Sequence, residues 1–147
     1  MRTITISLLL FQLILIPLAN AADPSPENGI NWYTWSNEAF EAAEKENKLV
    51  LLDIGAEWCQ FCAKMKAVTY KDPEVIKIIQ DNYIAVYADI DDSEDVNMLY
   101  GKFGVPGTII LSPDRDELTK RLGYISPQQM QWHLLGNLQD AADILEQ

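Results

Sequence analysis

Leu49-Val50-Leu51-Leu52-Asp53-Ile54, followed by Gly55-Ala56-Glu57-Trp58-Cys59-Gln60-Phe61-Cys62, decides how this chain is read. Apart from Asp53, the first six residues are apolar on both faces of an extended segment, as in a strand covered on both sides of a sheet. A helix is expected to begin at Cys59 and to run to about Thr69. In it the two cysteines, three residues apart, share one turn and can close a small disulfide ring. Such a ring staples almost nothing, because loop-closure stabilisation grows with the length enclosed. A purely structural disulfide is therefore a weak reading. The placement favours reactivity instead: unpaired amides and the positive end of the helix dipole promote the thiolate at Cys59. Cys62, one turn further in, is expected to be more buried and to attack a mixed disulfide formed at Cys59.

Outward from this stretch the chain alternates helix and strand signals. Ser36 or Asn37 can cap a helix reaching about Asn47, with Ala39, Phe40 and Ala43 on its apolar side. Asp72-Pro73-Glu74 is a fresh helix start, with a capping acid and proline at the first helical position. Tyr83–Asp89 reads as a strand and Glu94–Tyr100 as a short helix. Thr108–Leu111 and Glu117–Leu122 read as a hairpin through Ser112-Pro113-Asp114-Arg115. Ser126-Pro127-Gln128-Gln129 is a capping box opening a terminal helix. Helices lying between strands define an α/β protein with a partly parallel sheet flanked by helices.

The chain has 147 residues, 48% of them hydrophobic, with 11 Lys+Arg against 22 Asp+Glu and a formal net charge of −11. That length fits one domain, and the apolar fraction is that of a globular chain. The negative balance excludes nucleic acid and anionic membrane surfaces as expected partners, since both attract basic faces. Two cysteines cannot form a zinc site of four thiolates, and the one further candidate soft ligand is His133, deep in the terminal helix. Asp89-Ile90-Asp91-Asp92-Ser93-Glu94-Asp95 is rich in acids, but an EF-hand loop from Asp89 needs Gly at its sixth position and Glu at its twelfth, where Glu94 and Tyr100 stand. It reads as a solvated loop with acids at a helix start. Neither a metal nor a cofactor is expected. Trp32, Tyr33 and Trp35 are read as packing residues.

Arg2 precedes a short apolar run from Ile4 to Leu18, and Ala19-Asn20-Ala21 has the small-x-small pattern of a signal-peptidase site. Residues 1–21 are therefore expected to be a cleaved signal peptide, the alternative being an uncleaved N-terminal anchor, with 22–30 a flexible leader and 31–147 the folded domain. Such an address places the protein in the periplasm or outside the cell, where disulfides persist.

The chain resembles the thioredoxin superfamily, in particular secreted or periplasmic thioredoxin-like proteins and the C-terminal domain of the membrane electron conductor DsbD. The resemblance spans Trp35 to Leu138. It is carried by Glu46-Asn47-Lys48, by the Asp53–Cys62 stretch, by Lys71-Asp72-Pro73-Glu74-Val75, by Tyr100-Gly101-Lys102-Phe103-Gly104-Val105-Pro106, and by Gly123-Tyr124. It implies a thioredoxin fold with a central mixed sheet. It also implies that Asp53, six residues before Cys59, is a buried acid able to accept the Cys62 proton. Pro106 matches the family's cis-proline beside the cysteine pair, where the backbone at Val105 meets an extended substrate. Trp58 matches the tryptophan that shields the active-site rim.

Three positions depart from the family pattern. Gly107 stands where many relatives carry Thr, and is expected to loosen the loop and alter substrate contact. Tyr87 falls near where thioredoxin carries a Lys facing the buried acid, so the setting of Asp53 is expected to differ. Gln60-Phe61 has no His beside the second cysteine to stabilise the thiolate, which tilts the pair from oxidation toward reduction. The expected function is an exported thiol–disulfide oxidoreductase, a reductase of disulfides in periplasmic or secreted proteins, acting as a monomer and supplied by a membrane electron donor of the DsbD type. The competing readings are an oxidase or isomerase, and a non-catalytic binding module switched by its disulfide.

Overall fold

The buried run becomes the central strand of the sheet. In the computed structural model, which describes residues 25–27 and 29–145, strand β3 (Leu49–Gly55) is covered from Val50 onward. Strand β4 (Tyr83–Asp89) lies parallel to it on one side and β5 (Gly107–Leu111) antiparallel on the other. β6 (Glu117–Leu122) extends the sheet beyond β5, while β2 (Ile30–Tyr33) and β1 (Ser25–Glu27) extend it beyond β4. The order is β1-β2-β4-β3-β5-β6. The mixed sheet flanked by helices expected from the sequence is thus the architecture observed.

Alternation along β3 sends residues to two cores. Val50, Leu52 and Ile54 pack with Ala39, Phe40 and Ala43 of α1 (Asn37–Glu46) and Val96 of α4 (Glu94–Tyr100). Leu51, Ala85 and Ile110 face the other way, against Val75 and Ile79 of α3 (Pro73–Asn82) and Met130 and Leu134 of α5 (Pro127–Leu145). Helix α2 (Gln60–Ala67) straddles the two, with Cys59 and Cys62 at the first cluster and Met65 in the second. The aromatics near the start are packed: Trp32 meets Tyr70 and Trp35 meets Phe40, both edge to face.

Local chemistry sets the boundaries. α2 stops short of the expected Thr69, and a 3-10 turn (Thr69–Lys71) follows. Val68 and Thr69 are β-branched, and the Thr69 hydroxyl donates to the Ile125 carbonyl at 2.6 Å, tying the turn to the start of α5. The Ser126–Gln129 box forms, Gln129 Oε1 accepting from the Ser126 amide at 3.1 Å. Asp72 caps α3 through the Glu74 and Val75 amides, both at 3.1 Å, and also accepts from Gln131 Nε2 of α5. Asp72→Ala removes both the cap and this inter-helix tie, and is expected to lower unfolding free energy by about 1–2 kcal/mol in urea titrations.

The N-terminal stretch differs from expectation. Of the expected flexible leader 22–30, Ser25–Glu27 pairs antiparallel with β2, and Ile30 is buried as the first residue of that strand. Gly29 turns the chain between them at φ +87°, a conformation that glycine adopts without strain. The expected signal peptide, residues 1–21, lies outside the described residues. Among the described residues no helix is long and apolar enough to cross a membrane.

Candidate active site

β3 delivers the chain to the rim of the sheet, where Glu57 and Trp58 are exposed and Cys59 becomes the N-cap of α2. Cys59 and Cys62 are joined as a disulfide, with Cα atoms 5.3 Å apart. Cys59 Sγ accepts the Cys62 backbone N–H at 3.1 Å, so the sulfur occupies the place of a capping oxygen and faces the unpaired amides of the first turn. No acid lies in that first turn, and Lys64 and Lys66 fall in the last. Charges so distributed leave the positive helix end to stabilise a thiolate at Cys59 once the disulfide opens.

The two cysteines do not differ in burial as expected: Cys59 is 6% exposed and Cys62 5%. In the closed ring each sulfur covers the other, so their distinction lies in position on the helix. Exposed Trp58 and Phe61 flank the pair, Trp58 being 68% exposed. The indole is held in place because its Nε1 donates to Asp91 Oδ2 at 2.8 Å. Asp89 of the same loop is also engaged, its Oδ1 accepting from the Asp91 amide at 3.0 Å.

The loop before β5 borders the same rim. The Val105–Pro106 peptide is cis; Val105 is half-buried, Pro106 is buried, and the Pro106 carbonyl accepts from the Gly123 amide at 2.8 Å. Trp58, Asp91, Asn97, Gly104 and Val105 line a cleft of about 320 Å³ between this loop and α4. Gly107 does not loosen the loop. It is paired in β5 with Ile54 and Leu122, and a Cβ there would stand 3.1 Å from the Gly104 carbonyl and 3.4 Å from the Phe103 ring. The space a side chain would fill is already taken by the loop itself.

Asp53 is buried at 4% exposure, in register with Tyr87 on β4 and Thr108 on β5. Burial pushes its carboxyl up to about 7, opposed by hydrogen bonding from the Tyr70 hydroxyl and by the charge of Lys66. Neither Tyr70 Oη nor Asp53 Oδ1 meets a described group at full hydrogen-bond geometry, and Thr108 Oγ1 is equally unmatched, so Tyr70 orients and polarises the acid without a complete bond. Burial, and next the negative charge of Asp53, hold the Tyr70 phenol well above its ordinary range, so it stays a proton donor.

Lys66, Tyr70 and Thr108 were not singled out from the sequence, although one signal was present. Lys66 stands four residues after Cys62, on the same face of the helix. His133 lies against Asn137, whose Nδ2 approaches its Nδ1 at 3.4 Å; burial and then Arg121 hold its pKa below the ordinary value. Among the described residues no group of three His, Cys, Asp or Glu is placed to hold a metal.

This fold, with a CxxC pair capping the helix that follows the central strand, defines a thioredoxin-like protein with a redox-type site. The family model described as "Thioredox_DsbH: Protein of unknown function, DUF255" matches residues 23–145, and the chain belongs to that family. It is 34% identical over 76 residues to spermatogenesis-associated protein 20 of Mus musculus, covering 52% of this chain and 10% of that protein. It is 31% identical over 101 residues to the thiol:disulfide interchange protein DsbD of Neisseria meningitidis, covering 65% of this chain and 17% of that protein. The reduced C-terminal domain of N. meningitidis DsbD superposes with a TM-score of 0.57 at 25% identity, over 68% of this chain and 91% of that domain. A thioredoxin from Thermus thermophilus gives a TM-score of 0.65 at 19% identity, over 74% of this chain and 86% of that one. The chain therefore spans less than a fifth of the length of these curated relatives. Fold, cysteine pair and family membership together define a thioredoxin-like domain with a CxxC disulfide at its helix start.

Proposed function

We propose that the protein is an exported disulfide reductase, cleaved after Ala21, whose folded domain takes in strand β1 from Ser25 onward and acts as a monomer in the periplasm or outside the cell. The observation that carries this reading is Cys59 at the N-cap of α2 with its sulfur on the Cys62 amide. In the dithiol form Cys59 attacks a substrate disulfide, one substrate sulfur leaves as thiolate, and a mixed disulfide forms. Cys62 then gives up its proton and attacks Cys59 Sγ, which releases the second substrate thiolate and closes the disulfide. Two electrons pass to the substrate in each cycle, and a membrane donor of the DsbD type is the expected source for the next.

Asp53 is the proton acceptor for Cys62 in this scheme, since a buried carboxyl that titrates near 7 changes state at working pH. Trp58, Val105 and Pro106 form the substrate rim beside the cleft. The absence of a His between the cysteines supports donation over acceptance of electrons. The test is the reduction potential of the Cys59–Cys62 pair, by equilibration in dithiothreitol or glutathione buffers with alkylation and mass readout. A value near about −270 mV is expected, whereas one near about −120 mV reassigns the protein as an oxidase.

A further inference from the structure

The strand that neighbours Asp53 presents an aromatic ring where a cation was looked for, and the cation arrives from a different element. Asp53 and Gly55 share one face of β3, two residues apart, and Tyr87 is the β4 partner of Asp53 on that face. The Tyr87 hydroxyl lies only 2.8 Å from where a Cβ on Gly55 would stand, so the ring leans across β3 in the space glycine leaves. Lys66, from the last turn of α2, places its Nζ 3.8 Å from the centre of that ring. We infer that Lys66, seated on Tyr87, is the cation that serves the buried Asp53, supplied by the helix that carries the cysteines and not by the neighbouring strand. It is a positioning residue, acting through Asp53 and not on the substrate.

The inference rests on the proposed role of Asp53 for its use in exchange; what the geometry gives is the seat of Lys66 on the ring that lies beside Asp53 in the sheet. The groups acting on Asp53 are Tyr70 of the 3-10 turn and Lys66 of α2, and its strand partners are Tyr87 of β4 and the non-titrating Thr108 of β5. Lys66 is the cation among the causes of the Asp53 shift, and it lowers the pKa that burial raises. The neighbouring lysine, Lys64, is drawn to another ring, 4.4 Å from the centre of Tyr124. Arg121 of β6, in register with Thr108, acts on His133 instead. Because α2 holds both Cys62 and Lys66, one helix carries the thiol that must lose a proton and the charge that keeps its acceptor available.

The experiment follows the Asp53 carboxyl carbon by NMR against pH in the selectively labelled protein, in the dithiol and disulfide forms. Lys66→Gln is expected to raise the Asp53 midpoint by about half to one pH unit, and Lys66→Arg to leave it unchanged. Tyr87→Leu removes the seat and is expected to shift the midpoint in the same direction as Lys66→Gln. An unchanged midpoint in Lys66→Gln overturns the inference; Lys66 is half-buried, and Lys66→Arg, which keeps the charge, controls for any loss of packing. The pH profile of mixed-disulfide resolution is read in parallel. A midpoint that moves while the profile stays fixed upholds the lysine's role and removes Asp53 as the proton acceptor.

Discussion

Cys59→Ser is expected to abolish the proposed disulfide exchange, while Cys62→Ser is expected to stop it after the first step and to accumulate mixed disulfides with partner proteins. The asymmetry follows from the helix. The sulfur of Cys59 caps α2, so its thiolate is stabilised by amides that no other side chain occupies. A serine hydroxyl there still caps the helix, and stability should barely change. What is lost is the nucleophile, and turnover in an insulin-reduction assay should fall to background. In Cys62→Ser the nucleophile remains but nothing within the chain displaces the substrate sulfur, so the intermediate persists. Non-reducing gels of cells expressing Cys62→Ser, followed by mass spectrometry, should show discrete adducts that dithiothreitol removes. No adducts, with wild-type turnover absent as well, would turn the reading to a binding module switched by its disulfide. Refolding of scrambled substrate faster than reduction of insulin would turn it to an isomerase.

How much of this was legible before the structure depends on how local each signal is. β3 was clear because Leu49–Ile54 is apolar on both faces, and α3 because Asp72-Pro73 is a start signal needing no tertiary context. β1 and β2 were missed. Ile30–Tyr33 is four residues with only Ile30 fully covered, too short for alternation to show, and its strand character comes from pairing with β4. The 3-10 turn was missed because the Thr69 hydroxyl is fixed by a carbonyl 56 residues away. At the site, the cysteine pair could be read from spacing. Of the companions of Asp53, Tyr87 was placed beside it by the resemblance, whereas Tyr70 and Thr108 were not, because they reach it from separate elements that only the fold brings together. Gly107 shows the reverse error: a missing side chain suggested slack, but Gly104 and Phe103 fill the space.

Asp53→Asn is expected to make the protein more stable, by an amount that depends on pH. The native carboxyl titrates at about 7 against 3.8 for the ordinary group, so in the window between them the native state holds a proton that the unfolded chain has released. Stability therefore falls as pH rises from about 4 to about 7 and levels off above it, since the unfolded state binds fewer protons there. Over about three pH units the cost of ionising Asp53 in place is on the order of 4 kcal/mol. Asparagine has the same shape without the charge, and its amide can donate to the unmatched oxygens of Thr108 and Tyr70. At pH 4 the variant and the parent should unfold at nearly the same urea concentration. At pH 8 the variant should gain several kcal/mol, a rise in Tm of about 10 °C. Equal stability differences at both pH values would mean that the buried carboxylate is fully compensated when ionised. A carboxylate that costs this much at neutral pH is retained only where its charge is used, so the stabilised variant should also resolve mixed disulfides more slowly. The two readouts belong in one experiment: a gain in stability at pH 8 that coincides with a loss in resolution rate assigns both to the same ionisation.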